Sequence, residues 1–295
     1  MYPLLKQAVI AAAILLATSP LAAQTATLPQ LAAEKLCACI GEVPQPDSVA
    51  NRLQRCLPQA LTKAAIQQGG LEAIGTVEGM KGALLKTQEL ATASCPPVRN
   101  AYVVQRTEHS YASSNIAAAQ KAYDAGTALL EKQQYQQALP LFLKALKLDR
   151  KFVKAHDHAA ICYRQLQDFK KAADYYAKSL AIFPEDDLAL LNMAVVQNRL
   201  EKPDEARGYF EKLRYFHPYN PEGYFGAGKM ALVASDFPAA LDNLFQAHRL
   251  YTQQESPYLA DSNKLISLLY GAMKENNQLD LFRNRAQQYN FEIKE

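Results

Sequence analysis

Cysteine is the residue type whose placement in this 295-residue chain most directly suggests chemistry. Four of the five cysteines, Cys37, Cys39, Cys56 and Cys95, lie near the N-terminus, and Cys162 stands apart. A thiol-redox site favours Cys-x-x-Cys at a helix N-terminus, and a zinc site favours Cys-x₂₋₄-Cys spacing. The chain contains neither spacing, because its first pair is Cys-x-Cys. Structural disulfides are therefore the favoured interpretation.

The apolar residues around these four cysteines recur with helical spacing, which predicts helices over residues 28–40, 47–67 and 77–94. On a helix, Cys37 and Cys39 point about 200° apart, since successive residues rotate by about 100°. They should therefore bond separately to Cys56 and Cys95, in an order that the sequence leaves open. Two such disulfides would stabilise a small helical domain over residues 28–100, whose core alone is limited.

The run His156-Asp157-His158 is the second candidate for chemistry, because it could suggest a metal site. Residues two apart lie on different sides of a helix, whereas ligands on one helix face are three or four residues apart. The sequence also lacks a Gly-rich phosphate loop, a Gly-x-Ser-x-Gly motif and a His-Glu-x-x-His motif. We therefore expect no catalytic residues, no cofactor and no metal.

Composition narrows the class of protein further. The chain is 49% hydrophobic and 21% charged, which is enough apolar residue for folded cores. Its net charge is only +3, and the basic residues are scattered. A nucleic-acid-binding protein is expected to concentrate its basic residues on one face. Nucleic acid is therefore not an expected partner.

The first 23 residues have the features of a secretory signal peptide. Lys6 supplies a positive n-region, residues 8–17 are all apolar, and Pro20 precedes small residues. The alternative to a cleaved signal peptide is an uncleaved membrane anchor. The apolar run is, however, much shorter than the ~20 residues that span a bilayer. Residues 22–25 resemble the ends of signal peptides in Bacteroidota. This resemblance implies a periplasmic or secreted protein, with no membrane span in the mature chain.

A longer-range pattern fixes the architecture of the second half of the chain. An alanine followed four residues later by an aromatic residue or leucine recurs every 34 residues, at 138–142, 172–176, 206–210 and 240–244. Pairs of mostly small residues recur upstream with the same period, at 125–126, 159–160, 193–194 and 227–228. A constant period of this length indicates a solenoid, in which each unit buries its apolar face against the next.

These units resemble the tetratricopeptide repeat (TPR) family, whose pattern places a small residue in the first helix, Ala-x₃-Phe in the second, and proline at the end. Pro184 and Pro218 take the closing position in two units, whereas tryptophan is absent and Gln197 replaces the usual tyrosine. The resemblance implies four TPR units over residues 116–254. A polar linker is expected at 101–115, and a degenerate capping helix pair at 255–295.

The TPR resemblance further implies an all-α, right-handed superhelix whose first helices line a concave groove for a peptide or a helix of another protein. By position, the groove residues would be Tyr123, Thr127, Lys154, Asp157, Ile161, Arg164, Asn192, Val195, Asn198, Arg199, Phe225 and Lys229. This set is apolar with several cations, which implies a partner segment that is partly hydrophobic and partly acidic. TPR proteins that clamp a terminal carboxylate use lysine and asparagine where this chain has Tyr123 and Thr127, so that ligand is not expected.

Two classes of function follow. The first is a non-catalytic scaffold or adaptor of the bacterial cell envelope that binds a protein or peptide. The alternative is a periplasmic enzyme or thiol-redox protein, in which the N-terminal cysteine domain acts and the repeats recruit its substrate. The state of the N-terminal thiols distinguishes the two classes, because a redox enzyme needs a reactive thiol there.

Overall fold

A computed structural model describes residues 26–41, 49–70 and 72–292, and within these ranges the chain is helical, without a β-strand. The predicted signal peptide, residues 1–23, lies outside the described residues. No helix in the described part is both long and apolar enough to cross a membrane. The α-helices are α1 (Leu28–Ile40), α2 (Val49–Gln67), α3 (Val77–Ser94), α4 (Pro96–Ser110), α5 (Ala117–Leu130), α6 (Tyr135–Leu148), α7 (Val153–Gln165), α8 (Phe169–Ile182), α9 (Asp187–Arg199), α10 (Pro203–Phe216), α11 (Pro221–Val233), α12 (Phe237–Gln253), α13 (Leu259–Glu275) and α14 (Leu279–Gln288).

Helices α1 to α4 form an N-terminal bundle that two disulfides hold together. Cys37 bonds to Cys95 and Cys39 bonds to Cys56, with a Cα–Cα distance of 5.8 Å in each pair. The prediction that Cys37 and Cys39 take separate partners is confirmed, and the structure supplies the order. One bridge joins α1 to the junction of α3 and α4, and the other joins α1 to α2. The apolar core around them includes Leu36, which is fully buried.

Helix α4 replaces most of the segment that the sequence analysis assigned to a linker at residues 101–115. The helix begins at Pro96. Proline is tolerated in the first turn because the amide hydrogen that it lacks would have no partner within the helix. It continues to Ser110 because one of its faces is apolar: Val98, Ala101 and Val103 are fully buried. Residues 106–115 are polar and resemble a linker, but the buried face earlier on the helix carries it to Ser110. Only a short segment between α4 and α5 therefore connects the bundle to the repeats.

Helices α5 to α12 form four helix pairs, and α13 and α14 form a fifth pair after them. Within each of the four pairs, the turn contains one residue with positive φ, at Gln133, Gln167, Glu201 and Ser235, with φ between 58° and 62°. These residues are 34 positions apart, so the backbone repeats with the same period as the sequence. The alanines that begin the Ala-x₃-aromatic/Leu motif are fully buried in all four pairs. Small residues at these positions allow the two helices of a unit to approach closely.

The bundle packs against the repeats through α4. Arg106 on this helix forms an ion pair with Glu185, at an Nη2–Oε1 distance of 2.7 Å. Earlier on α4, the guanidinium carbon of Arg99 lies 3.6 Å from the centre of the Tyr215 ring on α10. Helix α4 therefore contacts two units. Its earlier residue, Arg99, packs on α10 of the third unit, and its later residue, Arg106, pairs with Glu185 between the second and third units.

Candidate partner groove

The TPR resemblance assigns the candidate inner face of the repeat region to the first helix of each unit. Across neighbouring units, α5 packs against α7 and α7 against α9, and α11 packs against α13 in the same way. Repeat proteins present a concave binding surface on the inner side of the curved solenoid. The candidate groove is therefore the surface of α5, α7, α9 and α11.

Most residues predicted for the groove lie on these four helices with accessible surface. Three of them are exposed, namely Asn198, Arg199 and Lys229. Eight are partly buried, namely Tyr123, Thr127, Lys154, Ile161, Arg164, Asn192, Val195 and Phe225. The structure thus places them on the expected elements, and their role in binding a partner stays a prediction.

Asp157 is the exception, because its side chain is fully buried and cannot contact a partner. It lies beside Asp186, which caps the N-terminus of α9 by accepting a hydrogen bond from the Ala189 amide, at 3.2 Å. The Ser179 hydroxyl also donates to Asp186, at 3.4 Å. Burial raises the pKa of Asp157 well above its usual range, and the neighbouring Asp186 charge raises it further. Asp157 therefore belongs to an internal polar cluster.

Tyr111, which follows α4, contacts residues of α7. Its hydroxyl interacts with Asp157, and burial is the main reason why the pKa of Tyr111 is raised. The Lys154 ammonium lies 5.3 Å from the centre of the Tyr111 ring, within cation–π range. Lys154 therefore has a contact within the chain, and it also retains accessible surface.

The two histidines of the His156-Asp157-His158 run face different surroundings. His156 hydrogen-bonds through Nε2 to the Arg150 carbonyl, at 3.0 Å. His158 stacks on Tyr123, with ring centres 5.1 Å apart. Burial lowers the pKa of His158 to about 4, with a smaller contribution from Lys154, so this ring is neutral at physiological pH. Both histidines thus serve packing contacts.

Cys162 is the one cysteine outside the two disulfides among the described residues. Cys162 is fully buried, and burial raises the pKa of its thiol to about 12, which opposes formation of the reactive thiolate. No group of three or more potential metal ligands comes together among the described residues. No pattern in the sequence indicates the contact of Tyr111 with Asp157. Asp186 was detectable only as part of an acidic helix start.

The buried carboxylate pair predicts an unusual dependence of stability on pH. With a raised pKa, native Asp157 retains a proton that the unfolded chain releases near its ordinary pKa of about 3.9. The native state then binds more protons, so the free energy of unfolding falls as pH rises from about 4 through the native pKa. Asp157→Asn should remove this loss and be more stable than the wild type at neutral pH.

Chemical denaturation at several pH values from 4 to 8 measures this effect. Asp174→Asn is the matched control, because Asp174 is exposed on the neighbouring helix α8. The control should follow the wild-type pH profile. A profile of Asp157→Asn that parallels that of the wild type would show that Asp157 is ionised without penalty.

Family models for tetratricopeptide repeats match residues 123–187 and 188–218. Among solved structures, the chain is similar to YrrB, described as a TPR protein with an unusual peptide-binding site, at 19% identity over 63% of this chain and 91% of that one, with a TM-score of 0.47. It is also similar to a TPR protein from Parabacteroides merdae ATCC 43184, at 17% identity over 71% and 75%, with a TM-score of 0.46. MamA is similar at 13% identity over 58% and 91%, with a TM-score of 0.49. No curated protein matches the sequence at a significant level.

Proposed function

Because residues 123–218 are tetratricopeptide repeats, we propose that this protein is a non-catalytic interaction scaffold of the bacterial cell envelope. Its partner is a segment of another protein, held on the inner face of α5, α7, α9 and α11. Solenoids present extended concave surfaces of this kind for binding. The signal-peptide features of the N-terminus, together with two disulfides, support an oxidising compartment such as the periplasm.

One observation carries the proposal: residues at the same position of successive first helices form a row that is not fully buried. Thr127, Ile161, Val195 and Lys229 occupy this position, each 34 residues after the last, and all retain accessible surface. The row is apolar in the middle units and cationic in the fourth. It therefore suits a segment that carries apolar side chains along its length and an acidic group at one end.

Four residues of the predicted groove are cations, and the two that are exposed lie in its later units. Arg199 at the end of α9 and Lys229 on α11 are both exposed. Asp157, the one acidic residue of the predicted set, is buried away from the surface. Complementary charge steers a partner and fixes its orientation. We therefore expect the acidic part of the partner segment to lie over the third and fourth units.

The alternative of a thiol-redox enzyme receives less support from the structure. All four N-terminal cysteines are in disulfides, and the remaining one, Cys162, is buried. A redox function would require one of the two bridges to open during turnover. Thiol titration of the protein purified without reductant distinguishes the two functions, because a reactive N-terminal thiol would favour the enzyme.

Charge reversal on the inner face tests the scaffold proposal. Arg199→Glu with Lys229→Glu should weaken partner binding at least tenfold, because attraction for an acidic segment becomes repulsion. The partner is first enriched from an envelope extract on the immobilised protein and identified by mass spectrometry. Its affinity for each variant is then measured by isothermal titration calorimetry.

The matched control is Lys144→Glu with Lys170→Glu, which reverses two exposed cations on the second helices α6 and α8. This control should bind as the wild type does. Equal loss in both variants would mean that net charge, and not the inner face, governs binding. Loss in the control alone would place the partner on the outer face.

A further inference from the structure

A cavity of about 330 Å³ lies where α4 of the bundle meets the third and fourth units. Its lining residues are Pro96, Arg99, Glu211, Arg214, Tyr215, Pro218 and Tyr224. They come from α4, the second helix α10, the following turn and the start of α11, and they share no residue with the predicted partner groove. We call this cavity the seam pocket. Its volume is within the lower range of small-molecule sites, roughly 300–1,000 Å³.

Arg99 is the most unusual residue of the seam pocket. Only 6% of its surface is exposed, and its Nε has no hydrogen-bond partner. No carboxylate lies within ion-pair distance of it among the described residues, and its guanidinium instead stacks on the Tyr215 ring. Buried charged side chains are normally paired, because removing an unpaired charge from water is costly. The Arg99 guanidinium is therefore a buried positive charge with no carboxylate to balance it.

Arg214 adds a second guanidinium with unused hydrogen-bonding capacity. Its Nη1 donates to the Asn243 side chain, but its Nε is buried without a partner. Its guanidinium carbon lies 5.6 Å from the centre of the Tyr224 ring. Burial raises the pKa of Tyr224, and the charges of Arg214, Arg249 and Arg99 oppose that rise. Three cations from three helices thus act on one tyrosine.

The seam pocket offers little negative charge to balance these arginines. Glu211 is its one acidic lining residue, and Glu211 forms no ion pair with either arginine in the described part of the chain. The walls are otherwise apolar or aromatic, provided by two prolines and the two tyrosine rings. Guanidinium groups bind carboxylate and phosphate oxygens through paired, charge-assisted hydrogen bonds.

From this geometry we propose that the seam pocket binds a small organic anion, whose carboxylate or phosphate group contacts Arg99 and Arg214 and whose apolar body contacts Tyr215 and Tyr224. Such a ligand would contact both the N-terminal bundle and the repeats. Its binding would therefore stabilise the association of the two parts. This site is independent of the partner groove, so either proposal can fail without the other.

Isothermal titration calorimetry of the purified protein with phenyl phosphate and with benzoate, in low-salt buffer, tests the proposal. Saturable binding of either probe is expected, and the tighter probe identifies the preferred oxyanion. Benzamide, which is uncharged, and inorganic phosphate, which lacks an apolar body, should each bind at least tenfold more weakly. Benzamide binding as tightly as benzoate would overturn the role of charge. Inorganic phosphate binding as tightly as phenyl phosphate would overturn the role of the apolar walls.

Variants separate a binding role of the arginines from a packing role. Arg99→Met and Arg214→Met should each weaken binding of the tighter probe at least tenfold. Glu211→Gln should strengthen it, because a competing carboxylate is removed. Arg106→Met is the control: it lies on the same helix and breaks the ion pair to Glu185, but it is outside the seam pocket, so binding should be unchanged.

Thermal unfolding of the same proteins provides the second readout. The tighter probe should raise the midpoint of the wild type and leave that of Arg99→Met unchanged. If Arg99 only packs on Tyr215, Arg99→Met will lower the midpoint and no probe will raise that of the wild type. That result, or the absence of saturable binding to the wild type, would overturn the proposal.

Discussion

Replacing both Cys37 and Cys95 by alanine is expected to lower the free energy of unfolding of the N-terminal bundle by about 2–5 kcal/mol. The bridge closes a segment with a sequence separation of 58 residues, so its loss greatly increases the conformational freedom of the unfolded chain. It also ties α1 to the start of α4, the helix through which the bundle packs on the repeats. Alanine is preferred to serine because Cys95 is 1% exposed and a hydroxyl there would be buried.

The matched variant is Cys39→Ala with Cys56→Ala, whose bridge has a sequence separation of only 17 residues. In the chain-entropy account, the shorter segment contributes roughly 1 kcal/mol less. Urea unfolding followed by circular dichroism measures both variants under identical conditions. Stability equal to that of the wild type in the Cys37 and Cys95 variant would show that the bundle holds together without this bridge. An unchanged free energy of unfolding after reduction of the wild type would support the same conclusion.

The sequence was sufficient to predict the repeat architecture, because the 34-residue period depends on local packing within each unit. Ala138 and Phe142 belong to one helix, and their counterparts recur without a register shift through Leu244. Even the positive-φ turn at Gln133 has equivalents in the next three units. The same packing contacts recur in each unit. A single departure such as Gln197 therefore does not hide the 34-residue period.

The sequence was insufficient wherever burial depends on contacts between distant parts of the chain. Asp157 occupies a groove position in the repeat, yet it is fully buried beside Asp186 and Tyr111. Nothing in the composition around Tyr111 indicates that its side chain interacts with Asp157. The cysteine pairing was open for a similar reason, since helix rotation shows that Cys37 and Cys39 diverge but does not show what each one faces.

Arg99 is a second residue whose burial depends on contacts between distant parts of the chain. In the sequence it is one arginine in a segment with mixed polar and apolar residues, and solvent exposure is the ordinary expectation for arginine. Only the packing of α4 on α10 buries it against Tyr215. The seam pocket therefore depends on two elements that are more than 100 residues apart, and no local pattern could reveal it.

Gly226→Ala is expected to destabilise the repeat region by about 1–3 kcal/mol, the usual cost of overpacking. A Cβ added at Gly226 on α11 would overlap with the ring of Phe210, which reaches across from α10 of the preceding unit. Phe210 is 7% exposed, so its ring has little free space into which it can move. The close approach therefore lies at the contact between the third and fourth units.

Gly208→Ala supplies the matched comparison, because Gly208 is also within a helix and no atom lies within 4 Å of its added Cβ. Replacing glycine by alanine inside a helix normally stabilises by roughly 0.5–1 kcal/mol. The two variants should therefore change the denaturation midpoint in opposite directions. If Gly226→Ala also raised the midpoint, the Phe210 ring would have to leave its place between the units at little cost. The contact between α10 and α11 would then be deformable, and the third and fourth units could not hold a fixed position relative to each other.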